Sequence, residues 1–115
     1  MSTNFNNNND INGHVYLITE LDSEQFYKIG VTKHKNINKR KDELQTGNSS
    51  ELMIIKYFPT KYPYKLERML HTYYTSKNKI NEWYELSEED INDFINRCQI
   101  YENSFNALTD NLFFD

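Results

Sequence analysis

This 115-residue chain has no run of about eighteen apolar residues, so no membrane-spanning helix is expected. It also lacks a charged-then-apolar leader at the N-terminus, and it reads as intracellular, in cytoplasm or nucleus. Its single cysteine, Cys98, excludes an intramolecular disulfide and a cysteine-based zinc site. Cys98 falls on the apolar side of a late helical segment and reads as a small buried hydrophobe. No internal repeat is visible. The length supports one domain with a single modest core.

The net charge of −4 is unevenly distributed. Residues 28–79 hold twelve of the thirteen basic side chains and only four acids, Asp42, Glu43, Glu51 and Glu67. That block is +8 and the remainder is −12. A segregated basic field steers polyanions even when the whole protein is acidic. A solvated lysine-rich surface would give the same count, so charge alone does not choose between the two.

Residues 1–12 are asparagine-rich and read as a disordered tail. Residues 14–20 have the tyrosine and β-branched content of a strand, apolar on both sides at Val15, Tyr16, Leu17 and Ile18, which predicts a central strand. Residues 26–32 read as its antiparallel partner across a short loop, with Gly30 marking a close backbone approach or a bulge. A helix over 36–45 should end at Gly47-Asn48, and a third strand, 51–58, at Pro59. Pro63 suits the first turn of a helix over 63–76, with Leu66, Met69, Leu70 and Tyr73 facing the core. Residues 82–86 read as a short edge strand. Ser87 and Asp90 predict a capping box on a last helix, 88–101, with Ile91, Phe94, Ile95 and Cys98 inward. The expected fold is α+β: a small, mainly antiparallel three-stranded sheet flanked by helices, in the order ββαβα plus a short strand and a C-terminal helix. The domain should span 13–101. Residues 102–115 form an aromatic tail that either packs back on the body or contacts another chain, a route to a dimer.

Five segments stand in a suggestive order. They are Val15-Tyr16-Leu17-Ile18, then Tyr27-Lys28-Ile29-Gly30, then Arg40 with Leu44-Gln45-Thr46-Gly47-Asn48, then Glu67-Arg68-Met69-Leu70-His71, and finally Glu82-Trp83-Tyr84-Glu85-Leu86. In this the chain resembles the GIY-YIG nuclease superfamily, and more closely its branch of phage-type DNA-binding domains. The resemblance spans about residues 13–98 and leaves both termini unexplained. It implies a compact α+β nuclease fold, of a cell or a virus, that acts on DNA; RNA offers the same phosphates. It also implies roles. The first-motif tyrosine, Tyr16, positions the attacking water, Arg40 stabilises the phosphate, and Glu67 holds a divalent metal, Mg²⁺ or Mn²⁺.

Read without the resemblance, each of these residues has a chemical role open to it and a plainer alternative beside it. Arg40 can offer phosphate a bidentate guanidinium, or it is one surface cation beside Lys39 and Lys41. Glu67 lies beside an apolar stripe and needs a partner, either a hard cation with waters or a salt bridge. His71, one turn later, could orient Glu67 or contact phosphate, or it packs. His14 shares a sheet face with Tyr16 and is either a phosphate contact or a strand-end histidine. Tyr16 is catalytic or a core aromatic. Trp83 and Tyr84 could stack on a base, with one of them expected in the core. Lys33, Lys39, Lys41 and Tyr27 complete the expected nucleic-acid surface. The departure is Lys28, where the second motif normally puts its tyrosine. Either Lys28 does electrostatic work in the site, or Tyr27 reaches in through a bulge, or catalysis is weakened. The nuclease motif's closing asparagine has Asn81 as its nearest candidate.

Three functions follow as expectations: a divalent-metal-dependent endonuclease, a non-catalytic nucleic-acid-binding module on the same fold, and a protein-interaction domain using the acidic last helix and the tail.

Overall fold

The computed structural model describes residues 11–22, 25–46 and 51–114, with side chains through 109. The expected tail before residue 11, the helix stop at Gly47-Asn48, and the side chains of Leu112, Phe113 and Phe114 lie outside the described residues.

Strands β1 (Gly13–Glu20) and β2 (Phe26–Thr32) form the expected hairpin, with Tyr16 opposite Gly30 and Ile18 opposite Lys28. Helix α1 (Ile37–Thr46) follows, its first turn capped by the Asn36 carboxamide, which accepts from the Asn38 amide at 2.9 Å. Strand β3 (Leu52–Thr60) pairs with the other side of β1. β1 is therefore flanked on both sides, as its two-sided apolar character predicts. β3 runs through Pro59 rather than stopping there; it is an edge strand, where a missing ladder donor is tolerated.

Helix α2 (Pro63–Tyr73) leads through a 3₁₀ turn (Thr75–Lys77) into the hairpin β4 (Asn78–Ile80) and β5 (Trp83–Glu85). Among the described residues the sheet is five-stranded and antiparallel, in the order β3-β1-β2-β5-β4. This corrects the expected three strands. β4 is three exposed polar-flanked residues with no periodicity to betray it. It also displaces the segment around Trp83 from the sheet edge to an interior position. The tight β4–β5 turn is made by Asn81 at φ 52°, a conformation asparagine tolerates better than most residues.

The long helix α3 (Glu88–Phe114) continues past the expected end at 101 and carries the tail with it. Its start is the predicted capping box. The Ser87 hydroxyl accepts from the Asp90 amide at 3.1 Å, and the Asp90 carboxylate accepts from the Ser87 amide at 2.9 Å. Phe105, beyond the expected boundary, is buried edge-on against Tyr62.

Alternation along β1 divides the apolar residues between the two sheet faces. Val15, Leu17 and Ile29 join Leu66, Leu70, Tyr74, Tyr84, Phe94 and Cys98 in the main core beneath α2 and α3. Tyr16 and Ile18 join Leu52, Ile54, Ile37 and Leu44 beneath α1. The α2 stripe differs from expectation: Leu66 and Leu70 are buried, but Met69 and Tyr73 are not, and Tyr74 takes the inward place. Helix α3 passes alongside α2, so Tyr73 stands on the flank and packs its ring against the Arg97 guanidinium, 4.3 Å away.

Candidate nucleic-acid site

The α1 face of the sheet is built around a close approach. Gly30 lies opposite Tyr16, and the tyrosine ring lies against it. A Cβ on residue 30 would come within 2.5 Å of the ring's Cζ and hydroxyl oxygen. Gly30 is therefore required by space, the close approach anticipated from the sequence. The β1–β2 register shows no bulge. Tyr27 consequently points to the opposite face, paired with Tyr84 and packed against the main core, while Lys28 shares the face of Tyr16 and Ile18.

Arg40 reaches down from α1, and its Nε donates to the Tyr16 hydroxyl at 3.2 Å. Tyr16 itself is 1% exposed, whereas the Arg40 side chain is 32% exposed. The arginine is thus the member of the pair that solvent meets. Its Nη1 donates to Glu43 Oε1 at 3.2 Å, and Glu43 Oε2 accepts from His34 Nε2 at 2.8 Å. Burial alone would lower the guanidinium's pKa, but the Tyr16 and Glu43 contacts outweigh it and hold it above the ordinary value. Glu43 is held below the usual carboxylate range by its bond to His34 first and Arg40 second. Neither Glu43 nor His34 was singled out from the sequence. The Arg40–Glu43 spacing of three was legible as a helix pair; His34 carried no signal.

His14 is buried, its Nδ1 donating to the His34 carbonyl at 3.0 Å and its ring edge-on to Tyr57. It supports the connection leading into α1. Lys33, Lys39 and Lys41 are exposed around that connection and along α1. Three other bases of the central block are bound up in ion pairs, Lys28 with Glu82, Lys77 with Asp90 and Lys79 with Glu85.

A second cluster sits at the outer edge of β2. β5 pairs with β2 only from Phe26 to Lys28, and the next contact is a single hydrogen bond from the Ile29 amide to the Glu82 carbonyl. The Ile29 carbonyl instead accepts from His71 Nε2 at 3.0 Å. The Glu67 carboxylate lies 3.8 Å from the same nitrogen and is sheltered, its side chain 18% exposed. Desolvation raises its pKa, against a smaller opposing effect of His71; Glu82 raises it further, and Arg68 and Lys28 oppose. Asn81 and His71 line one open cleft of about 250 Å³ beside this cluster, together with Thr72, Thr75, Asn78 and Tyr84.

The expected site residues therefore fall into two groups, Tyr16 with Arg40 over Gly30, and Glu67 with His71 at the neighbouring Ile29. Lys28 links them, standing on the Tyr16 face while its charge is felt by Glu67. Of the two candidate stacking residues, Tyr84 is core and Trp83 is partly exposed. Among the described residues, no three His, Cys, Asp or Glu side chains converge as metal ligands. The donor set thus suits a hard ion held by the Glu67 carboxylate and waters, and does not suit an all-protein cage.

The architecture defines a small antiparallel α+β domain carrying a half-exposed arginine bonded to a glycine-backed, buried tyrosine. The T5orf172 domain model matches residues 13–99, and the chain belongs to that family. The family is a phage-associated domain related to nuclease-like folds. No curated protein and no solved structure matches the chain. Among the described residues, no helix is long and apolar enough to cross a membrane.

Proposed function

We propose that this domain acts on DNA by docking a backbone phosphate against Arg40. The observation that carries this reading is the Arg40 guanidinium fixed at its Nε by the buried Tyr16 hydroxyl and turned outward among exposed lysines. A guanidinium anchored from beneath loses little side-chain freedom when it meets a phosphate. Tyr16 acts as the positioning residue, and Lys33, Lys39 and Lys41 add sequence-independent attraction.

A second reading adds hydrolysis, in the manner of GIY-YIG nucleases, and rests on Glu67. A sheltered carboxylate raised in pKa and with no short hydrogen bond among the described residues is poised to receive a cation. Mg²⁺ or Mn²⁺ there would neutralise charge developing on the phosphate and the leaving oxygen. Glu67 would hold the ion and His71 would orient the carboxylate. Lys28, in place of the second-motif tyrosine and tied to Glu82, favours binding without cleavage.

Fluorescence anisotropy on a labelled duplex at 50 and 200 mM salt tests the first reading. Binding should weaken steeply with salt, and Arg40→Ala should lose at least about tenfold, the scale of one hydrogen bond to a charged group. Equal affinity at both salts, or in the variant, overturns it. Incubation with plasmid and branched DNA plus Mg²⁺ or Mn²⁺ tests the second. Cleavage lost in Glu67→Ala with binding retained supports hydrolysis, and cleavage equal to wild type rejects the role of Glu67.

A further inference from the structure

We propose that Arg40 and His34 form a phosphate clamp closed in the free protein by the chain's own Glu43, whose carboxylate occupies the position of a nucleic-acid phosphate. The inference rests on the reading that the domain acts on DNA, and it adds a binding residue, His34, and an internal competitor, Glu43.

Two donors from different segments converge on one carboxylate. Arg40 Nη1 meets Oε1 at 3.2 Å and His34 Nε2 meets Oε2 at 2.8 Å. Two oxygens bridged by two cation-capable donors is also how a phosphodiester presents its non-bridging oxygens.

Both donor residues have an anchor besides Glu43. Arg40 is held by the Tyr16 hydroxyl. His34 is held by its backbone: its amide donates to Thr32 Oγ1 at 3.1 Å, and its carbonyl accepts from His14 Nδ1 at 3.0 Å. If Glu43 swings away, these anchors on the Arg40 guanidinium and on the His34 backbone remain. Glu43, by contrast, is 49% exposed, and among the described residues its carboxylate is bound only by these two donors. A half-exposed carboxylate in such a place is displaceable by a ligand of higher charge. The exposed flanking residues are bases, Lys33 and Lys35 beside His34, and Lys39 and Lys41 beside Arg40. Glu43 therefore masks this anion-binding point until a polyanion competes for it.

The test uses the full chain and inorganic phosphate at constant ionic strength, followed by NMR at the Arg40 Nε–H and the His34 ring. Glu43→Ala should tighten phosphate binding about three- to tenfold, the scale of two partly exposed ion pairs, with both resonances moving. Glu43→Gln should give an intermediate gain, and His34→Ala added to Glu43→Ala should abolish it. Weaker binding in Glu43→Ala would show that Glu43 merely positions Arg40, and would overturn the clamp. So would unchanged affinity or unmoved resonances. A labelled duplex provides the second arm. If phosphate behaves as expected but wild type and Glu43→Ala bind no DNA, the clamp stands and the nucleic-acid reading falls. If DNA binds but Glu43→Ala tightens neither ligand, the clamp falls alone.

Discussion

Gly30→Ala is a sharp test of how this site is held. The added methyl would lie within 2.5–2.6 Å of three atoms of the Tyr16 ring. The ring is fully buried between Gly30 and the α1 layer, so it has little room to retreat. Overpacking of this kind costs about 1–3 kcal/mol. With an unfolding entropy of about 2.1 cal/mol/K per residue over this chain's length, Tm should fall by about 4–12 °C. Thermal unfolding by circular dichroism measures this directly. Any ring movement that relieves the clash also draws the hydroxyl away from Arg40 Nε, so DNA affinity should fall alongside Tm. The decisive form is a cycle with Tyr16→Leu. Leucine does not reach the ring atoms that meet the new methyl, so Gly30→Ala should cost under about 1 kcal/mol in that background, leaving a coupling of about 1–2 kcal/mol. If Gly30→Ala destabilises both backgrounds equally, the steric account is refuted and the glycine serves some backbone requirement instead.

Two further outcomes follow from the electrostatics and capping. Glu67 is harder to ionise in the folded chain than its ordinary value of 4.5 implies, so its contribution to stability is present below that value and lost as pH rises through the folded value. Glu67→Gln should therefore raise Tm at pH 7 while abolishing any cleavage, with the gain vanishing below about pH 4; a Tm equal to or below wild type at pH 7 contradicts the desolvation argument. Ser87→Ala removes one half of the α3 capping box and should cost about 1 kcal/mol, read as a Tm fall of about 4 °C; an unchanged Tm would mean that packing alone starts the helix.

Much of the architecture was legible because local chemistry and burial agreed. Ser87 and Asp90 promised a capping box and made one. The apolar run in β1 required cover on both faces, and it is covered on both. Legibility failed where geometry comes from partners distant in the chain. The α2 core residues shifted from Met69 and Tyr73 to Tyr74 because α3 lies alongside, which the helical period alone does not report. β4 exists because β5 offers it an edge, since its own three residues are exposed. The partners of Arg40 divide in the same way. Glu43 lay within helical reach on the same element, whereas Tyr16, 24 residues away, needed the sheet to bring it beneath the arginine.

By itself, then, the sequence determined the hairpin, the α+β class and the basic central block, and it named Tyr16, Arg40, Glu67 and His71 as candidates, because period, turn chemistry and charge count are local properties. Only the tertiary structure decided which of those residues meet. Strand alternation turned Tyr27 away and kept Lys28 on the site face. The absence of a side chain at Gly30 let Tyr16 settle into the sheet and hold Arg40 from below. The convergence of His34 and Arg40 on Glu43 arose from two segments whose approach is set by the packing of α1 on the sheet, and no pattern along the chain encodes that distance.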